Sequence, residues 1–98
     1  MEKMWLIMVE LIADTEDAPA PSKIGFMNIT TWGDSRDAAK LKIESYLQSF
    51  EWQVVSVERA DLVDETLEYG EDIADMIERT RNNPNAIILG TFYSYKPN

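Results

Sequence analysis

The stretch of residues 4–13, MWLIMVELIA, decides the fold, because it predicts a β-strand that is apolar on both faces. Successive side chains of a strand point to opposite sides of a sheet. The apolar residues are Trp5, Ile7, Val9 and Leu11 on one face, and Met4, Leu6, Met8 and Ile12 on the other, where Glu10 interrupts them. This pattern is typical of a central strand that is covered on both sides. A second subunit that covers the second face is the alternative.

The other elements follow from periodicity and from the breakers between them. Asp34 or Ser35 is a good N-cap for a helix. The apolar stripe of this helix is Ala39, Ile43, Tyr46, Leu47 and Phe50, and the stripe of a second helix is Tyr69, Ile73, Met76, Ile77 and Thr80. The further predicted strands are 23–32, 51–60 and 86–95, the second helix spans about 69–81, and 14–22 is a loop with two prolines and three acids.

The element order ββαβαβ predicts a single α+β domain over residues 1–98. We expect a two-layer sandwich in which a four-stranded, mostly antiparallel sheet carries both helices on one face. This is ferredoxin-like in its general architecture, although two strands precede the first helix here. The sheet face without helices would be strongly apolar, and such a face usually marks a partner or a dimer.

The chain contains no cysteine and no histidine, and these absences exclude several kinds of chemistry. Disulfides, thiolate nucleophiles, iron–sulfur clusters and zinc–cysteine sites all require cysteine. Histidine is the commonest general base near neutral pH and the commonest transition-metal ligand. The sequence therefore favours a non-catalytic protein, and we expect neither a cofactor nor a metal site.

The charge balance is strongly acidic, with eighteen acidic residues against nine basic ones and a net charge of −9. Such a surface repels phosphate backbones and anionic membranes, so we expect no direct nucleic-acid contact and no membrane contact. It favours a basic protein partner, although acidity can also serve solubility alone. The apolar run 4–13 is shorter than the roughly 20 residues that span a bilayer and lacks the basic leader of a signal peptide, so a cytoplasmic protein is expected.

The acidity is concentrated between Asp61 and Glu78. On the second helix, Glu71, Asp75 and Glu78 follow one another at i, i+4 and i+7. The segment is a solvated helix face, a docking surface for a basic partner, or a site for a divalent cation or carboxylate catalysis. The last interpretation is the weakest, because no EF-hand spacing with its turn glycine is present. The predicted interaction residues of this segment are Glu68, Glu71, Asp72, Asp75 and Glu78.

Two tyrosines of the last strand complete the predicted interaction residues. Alternation puts Tyr93 and Tyr95 on one face near the end of the sequence, where we expect a subunit or ligand contact. The other aromatic side chains are assigned to core packing, because the basic groove that base stacking also needs is missing. Basic residues cluster on the first helix, at Arg36, Lys40 and Lys42, so the surface charge is expected to be polarised.

The stretch from Trp32 to Asp61 carries a resemblance. A strand that ends near a helix cap is followed by A-A-x-L-x-I-x-x-Y-L and then by E-W-Q-V-V-S-V-E-R-A. This stretch resembles small uncharacterised bacterial α+β proteins, in which a helix precedes a Trp-containing strand with alternating valines and a Val-Glu exit. The resemblance implies a ferredoxin-like fold, and it carries over no activity and no functional residues.

Three function hypotheses remain open. The first is a non-catalytic protein-interaction or regulatory module that forms a homodimer or binds a basic protein partner. The second is a small-ligand-binding protein or an enzyme that uses carboxylates with or without Mg²⁺. The third is an acidic nucleic-acid mimic, such as a phage-type inhibitor or a toxin-neutralising protein.

Overall fold

The computed structural model describes residues 2–13, 23–50 and 52–95, and in these ranges the chain forms four strands and two helices. The elements are β1 (Lys3–Ala13), β2 (Lys23–Gly33), α1 (Arg36–Gln48), β3 (Gln53–Leu62), α2 (Glu71–Arg81) and β4 (Ile87–Tyr95). The predicted α+β class and the ββαβαβ order are confirmed. The predicted loop 14–22 lies outside the described residues. Neither α1 nor α2 has the length and apolar content needed to cross a membrane.

The sheet has the strand order β3-β1-β2-β4, and its neighbouring strands are antiparallel throughout the described ranges. β1 lies between β3 and β2, in the central position that its two apolar faces predict. It pairs with β2 along its whole length, from Lys3 opposite Gly33 to Ala13 opposite Lys23. β3 and β4 are the edges, so α1 leads past β1 to one edge and α2 leads across the sheet to the other.

α1 covers the face of the sheet that carries the odd-numbered residues of β1. The buried cluster on this face contains Trp5, Ile7, Val9, Leu11, Met27, Ile29, Ala39, Ile43, Leu47 and Ala60. Residues 39, 43 and 47 are four apart, which places them on one side of the helix. Each fully buried Leu or Ile side chain of this kind contributes about 1.5–3 kcal/mol. Ser35 begins the helix by accepting a hydrogen bond from the Ala38 amide at 3.1 Å.

α2 packs against the opposite face of the sheet. Ile29 belongs to the cluster under α1, so the next residue, Thr30, points to the other side. The Thr30 hydroxyl lies 2.6 Å from the Thr80 hydroxyl and 3.3 Å from the Met76 carbonyl oxygen, both in α2. The Trp32 indole N–H, on the same face as Thr30, donates to the Thr80 carbonyl oxygen at 2.8 Å. The expectation that both helices lie on one face, in two layers, is therefore wrong.

The physical reason is that the central strands are apolar on both faces, so a single helical layer would leave one of these faces in water. The face opposite α1 carries Met4, Leu6, Met8, Ile24, Phe26 and Trp32, all half-buried. α2 covers the part of this face that lies over β2 and β4. The number and type of elements match a ferredoxin-like protein, whereas the strand order differs, because here the two central strands are consecutive in sequence.

β3 is an irregular edge strand. Its register against β1 shifts at two places, where Glu58 and Val55 have no partner residue. Because of these bulges, Val54 and Val57 both pack against the cluster under α1. Strict alternation would place Val54 and Val57 on opposite faces, which is not the case here, and Val55 is 53% exposed. Bulges of this kind twist an edge strand and interrupt its row of backbone hydrogen bonds.

Gly90 leaves space for the contact between α2 and the sheet. A Cβ atom at this position would lie 2.9 Å from the carbonyl oxygen of Asn28 and 2.9 Å from the Sδ atom of Met76. The register between β2 and β4 shifts here, so that Asn28 opposes both Gly90 and Thr91. Gly90 is thus part of a bulge at which backbone and helix approach closely, a situation that favours glycine.

Replacing Gly90 by Ala should lower the free energy of unfolding by about 1–3 kcal/mol, because the added methyl group overpacks this contact. Urea denaturation measures the change. Gly70→Ser is the matched control, since a Cβ at Gly70 has nothing within 4 Å and serine is a good N-cap for α2. The control should retain or slightly exceed wild-type stability. A Gly90→Ala protein as stable as the wild type would contradict the close packing of α2 on this face.

Candidate functional site

The buried side of α2 fixes the helix on the sheet. Met76, Ile77 and Thr80 are buried, and Ile73 is half-buried. The Thr80 hydroxyl donates to the Met76 carbonyl oxygen at 2.8 Å and also contacts Thr30 of β2. The remaining circumference of the helix faces away from the sheet, as expected for an amphipathic helix.

The predicted acidic residues lie on this outer circumference and just before it. All five are exposed: Glu68, Glu71, Asp72, Asp75 and Glu78. Glu71 and Asp72 occupy the first turn of α2, where the positive end of the helix dipole stabilises negative charge. Arg79 and Arg81 occupy the last turn, where the dipole favours cations. The helix thus has a negative start and a more positive end.

These carboxylates point in different directions. Asp72 lies on the flank that faces β4, beside Thr91. Glu78 lies on the other flank, beside Leu67. Asp75 forms an ion pair with Arg79 at 2.9 Å. In the described ranges, no three acidic side chains come together in a geometry that holds a metal ion.

Several basic residues near this segment are already paired. The ion pairs are Arg79–Asp75, Arg81–Glu65 and Arg59–Asp61. Four of the five predicted carboxylates form no ion pair with a residue of the described ranges, namely Glu68, Glu71, Asp72 and Glu78. The outer side of α2 therefore carries negative charge that the described part of the chain leaves uncompensated.

A cavity of about 370 Å³ between the start of α2 and β4 brings one predicted tyrosine together with two predicted carboxylates. Glu71 and Asp72 line it from the helix, and Tyr93 lines it from the strand. The other lining residues are Asn28, Gly70, Ile73, Met76, Gly90 and Thr91. Tyr93 is 54% exposed, so part of its ring remains open to a ligand. Tyr95 is the last residue of β4, and its side chain lies outside the described part, so its contact stays a prediction.

The segment between β3 and α2 is tied together by hydrogen bonds. The Thr66 hydroxyl and amide donate to Oδ1 of Asp64 at 2.6 and 2.9 Å. The Asp64 amide donates to the Tyr69 hydroxyl at 3.0 Å, and Glu65 pairs with Arg81 at the end of α2. The Thr66 hydroxyl first, and then its amide, hold the pKa of the Asp64 carboxyl below its ordinary value, because both bonds favour the ionised form.

Sequence reasoning missed an exposed aromatic cluster at the end of α1. Tyr46 and Phe50 belong to the predicted apolar stripe, yet they are 37% and 45% exposed. The Phe50 ring lies 5.1 Å from the Tyr46 ring in an edge-to-face arrangement and 5.4 Å from the Trp52 ring. Helical periodicity gives no signal for this exposure, because residues 46 and 50 lie three positions after Ile43 and Leu47 and so share their side of the helix. Phe50 lies beyond the end of α1 at Gln48.

The basic cluster predicted on the first helix lies on the side of the sheet opposite the acidic residues of α2. Arg36, Lys40 and Lys42 belong to α1, and α1 covers the face that α2 does not. The Lys42 ammonium group donates to the Trp32 carbonyl oxygen at 3.1 Å, which fixes one of these charges. The separation of charge thus follows directly from the placement of the helices on opposite faces.

In comparisons with protein-family profiles, curated proteins and solved structures, nothing matches this chain. The resemblance of the stretch 32–61 to small bacterial α+β proteins therefore stays a prediction.

Replacing Thr66 by Val removes the hydroxyl donor and keeps the size of the side chain. We expect the pKa of Asp64 to rise toward the ordinary aspartate value of about 3.9, as measured by an NMR pH titration of its carboxyl carbon. Because the folded-state pKa is lowered, the resulting stability is present above the unfolded-state pKa and is lost as the pH falls through the folded-state value. The variant should therefore lose less stability on acidification below about pH 4. An unchanged Asp64 pKa would show that the hydroxyl bond does not form in solution.

Proposed function

We propose that the protein is a non-catalytic, cytoplasmic protein-interaction module that binds a basic protein partner through α2. We define the acidic surface as Glu68, Glu71, Asp72, Asp75 and Glu78. The observation that carries the proposal is the exposure of all five carboxylates, four of which have no ion-pair partner in the described ranges. Uncompensated surface charge steers an oppositely charged partner and selects against like-charged ones.

The placement of α2 supports this function, because the helix presents its carboxylates from a fixed position. Thr30 and Trp32 of β2 hold the helix by hydrogen bonds to Thr80 and Met76. A surface that is ordered before binding loses less conformational entropy when the partner arrives. Arginine side chains of the partner would form charge-assisted, bidentate hydrogen bonds with such carboxylates.

The test is a triple variant, Glu68→Gln/Glu71→Gln/Glu78→Gln, and it uses three carboxylates without an ion pair in the described ranges. The wild-type protein is immobilised, basic proteins captured from a lysate of the source cell are identified, and their affinities are measured by calorimetry. We expect the triple variant to bind roughly tenfold more weakly, since an exposed charge contributes about 0.2–1 kcal/mol. The loss should shrink at high salt.

The matched control is Glu2→Gln/Glu44→Gln/Glu58→Gln, which removes the same net charge away from α2. The control should retain wild-type affinity. Equal losses in the two variants would show that net charge alone governs binding and would overturn the acidic surface. A captured partner that itself binds nucleic acid, or that is a toxin, would favour the third hypothesis of a mimic or neutralising protein.

As a second candidate we propose small-ligand binding, with or without Mg²⁺, in the cavity between α2 and β4. The cavity supports it because Glu71, Asp72 and Tyr93 reach the same space from two elements. Carboxylates and a partly exposed aromatic ring suit a ligand that carries a positive charge or a bound hard cation.

A thermal-shift screen with divalent ions and metabolites tests this candidate. A specific ligand at about one hundred times its Kd stabilises the folded state by about 2.7 kcal/mol, so the unfolding temperature should rise clearly. Glu71→Gln/Tyr93→Leu should abolish the shift, and Glu44→Gln/Tyr46→Leu, which alters the same residue types on α1, should retain it. No shift with any compound, or a shift that survives the cavity variant, would count against the cavity as a binding site.

A further inference from the structure

β4 is an edge strand that lacks charged residues and proline, two of the features with which edge strands usually avoid pairing. In the described ranges it pairs with β2 alone, and its sequence IILGTFYSY contains no charged residue and no proline. The other edge, β3, carries Glu58, Arg59 and Asp61 and two bulges. Charges and bulges protect an edge strand, whereas a long neutral edge offers free N–H and C=O groups to another strand. The two edges of this sheet therefore differ in their capacity to accept a further strand.

The single bulge of β4 lies at its centre and makes the strand self-complementary. Gly90 and Thr91 together oppose Asn28 of β2, so they occupy one position of the ladder. The residues on the α2 side of the sheet are Ile88 and Tyr93, opposite Thr30 and Phe26, and those on the α1 side are Leu89 and Phe92, opposite Ile29 and Met27. Counted outward from the bulge, the first residue on either side, Leu89 or Phe92, lies on the α1 side of the sheet. The second, Ile88 or Tyr93, lies on the α2 side, so the two halves of β4 alternate in the same order.

This symmetry specifies how a second copy of β4 fits. An antiparallel copy, related by a two-fold axis at the bulge, places Ile88 opposite Tyr93 and Leu89 opposite Phe92. Each pair then lies on one face of the extended sheet, which antiparallel pairing requires. An interface between identical subunits about a two-fold axis must be self-complementary, and β4 meets this condition.

The charges beside β4 include one pair, Asp72 and Arg79, that is complementary under the same two-fold axis, and Asp75 in the same groove forms an ion pair with Arg79 of its own chain. α2 runs antiparallel to β4, so Asp72 near its start lies beside Thr91 and Tyr93, whereas Arg79 near its end lies toward Ile88. Both side chains border a groove of about 300 Å³ between α2 and the strand. The two-fold axis sets Ile88 of one copy opposite Tyr93 of the other. It also brings Arg79 of one copy toward Asp72 of the other, and this contact occurs twice in the dimer.

We propose that two copies of this chain associate through β4 and form one continuous eight-stranded antiparallel sheet, with Asp72 and Arg79 pairing across the two-fold axis. This goes beyond the binding of a basic partner, because it uses β4 and the groove beside it, which Glu68, Glu71 and Glu78 do not line. The net charge of −9 per chain opposes association, but at physiological salt charges are screened beyond about 8 Å. The contacting strand itself is neutral.

Sedimentation equilibrium over a concentration series tests the proposal, and the wild type should reach twice the chain mass of 11.3 kDa. Thr91→Lys places two like charges next to the axis on an exposed position and should raise the dimer dissociation constant at least tenfold. Val55→Lys is the matched control, because it adds the same charge at an exposed position of the β3 edge. The control should leave the dissociation constant unchanged.

A charge exchange tests the proposed pair directly with substitutions at exposed positions. Asp72→Arg alone and Arg79→Asp alone should each weaken the dimer, and Asp72→Arg/Arg79→Asp should restore it. A monomeric wild type, a dimer that Thr91→Lys leaves intact, a dimer that Val55→Lys disrupts, or a double variant without recovery would each overturn the proposal. Glu68→Gln/Glu71→Gln/Glu78→Gln should not weaken the dimer, so failure of the dimer and failure of partner binding are distinguishable.

Discussion

The whole structure depends on one constraint, namely that the paired central strands β1 and β2 are apolar on both faces. Leaving either face in water would forfeit about 25 cal/mol for each Å² of apolar surface, so both faces require cover. α1 supplies it on one side, and on the other side α2 covers the part that lies over β2 and β4. The positions of β3 and β4 follow from this. β3 comes after α1 and pairs with the free edge of β1, and β4 comes after α2 and pairs with the free edge of β2.

Much of this architecture could be predicted from the sequence. The alternation in β1 identified the central strand, and the predicted elements lie within about two residues of the observed bounds, which is the usual accuracy of helix and strand ends. Periodicity shows which side of a helix is apolar, but it does not show which face of a two-sided strand that helix covers. A buried polar group needs a partner, so Thr80 in the stripe of α2 and Thr30 in β2 were a signal for the second face.

The candidate site was predictable in part, for a similar reason. Helical periodicity alone puts Glu71, Asp75 and Glu78 outside the Ile73–Ile77 stripe, and they are exposed as this requires. The cavity that joins Glu71 and Asp72 to Tyr93 depends on how α2 lies over β4, and no local pattern determines such a long-range contact. The bulges at Val55 and Glu58 are equally invisible to a rule of strict alternation, because one extra residue reverses the faces of everything beyond it.

The two helices are attached to the sheet by different means, and the molecule is therefore not equally stable on its two sides. α1 contributes Ala39, Ile43 and Leu47 to the main apolar cluster, whereas α2 relies on Met76, Ile77 and a few hydrogen bonds around Thr80. Local opening costs least where few apolar contacts are lost. The amide protons of α2 are therefore expected to exchange with solvent before those of α1 and β1.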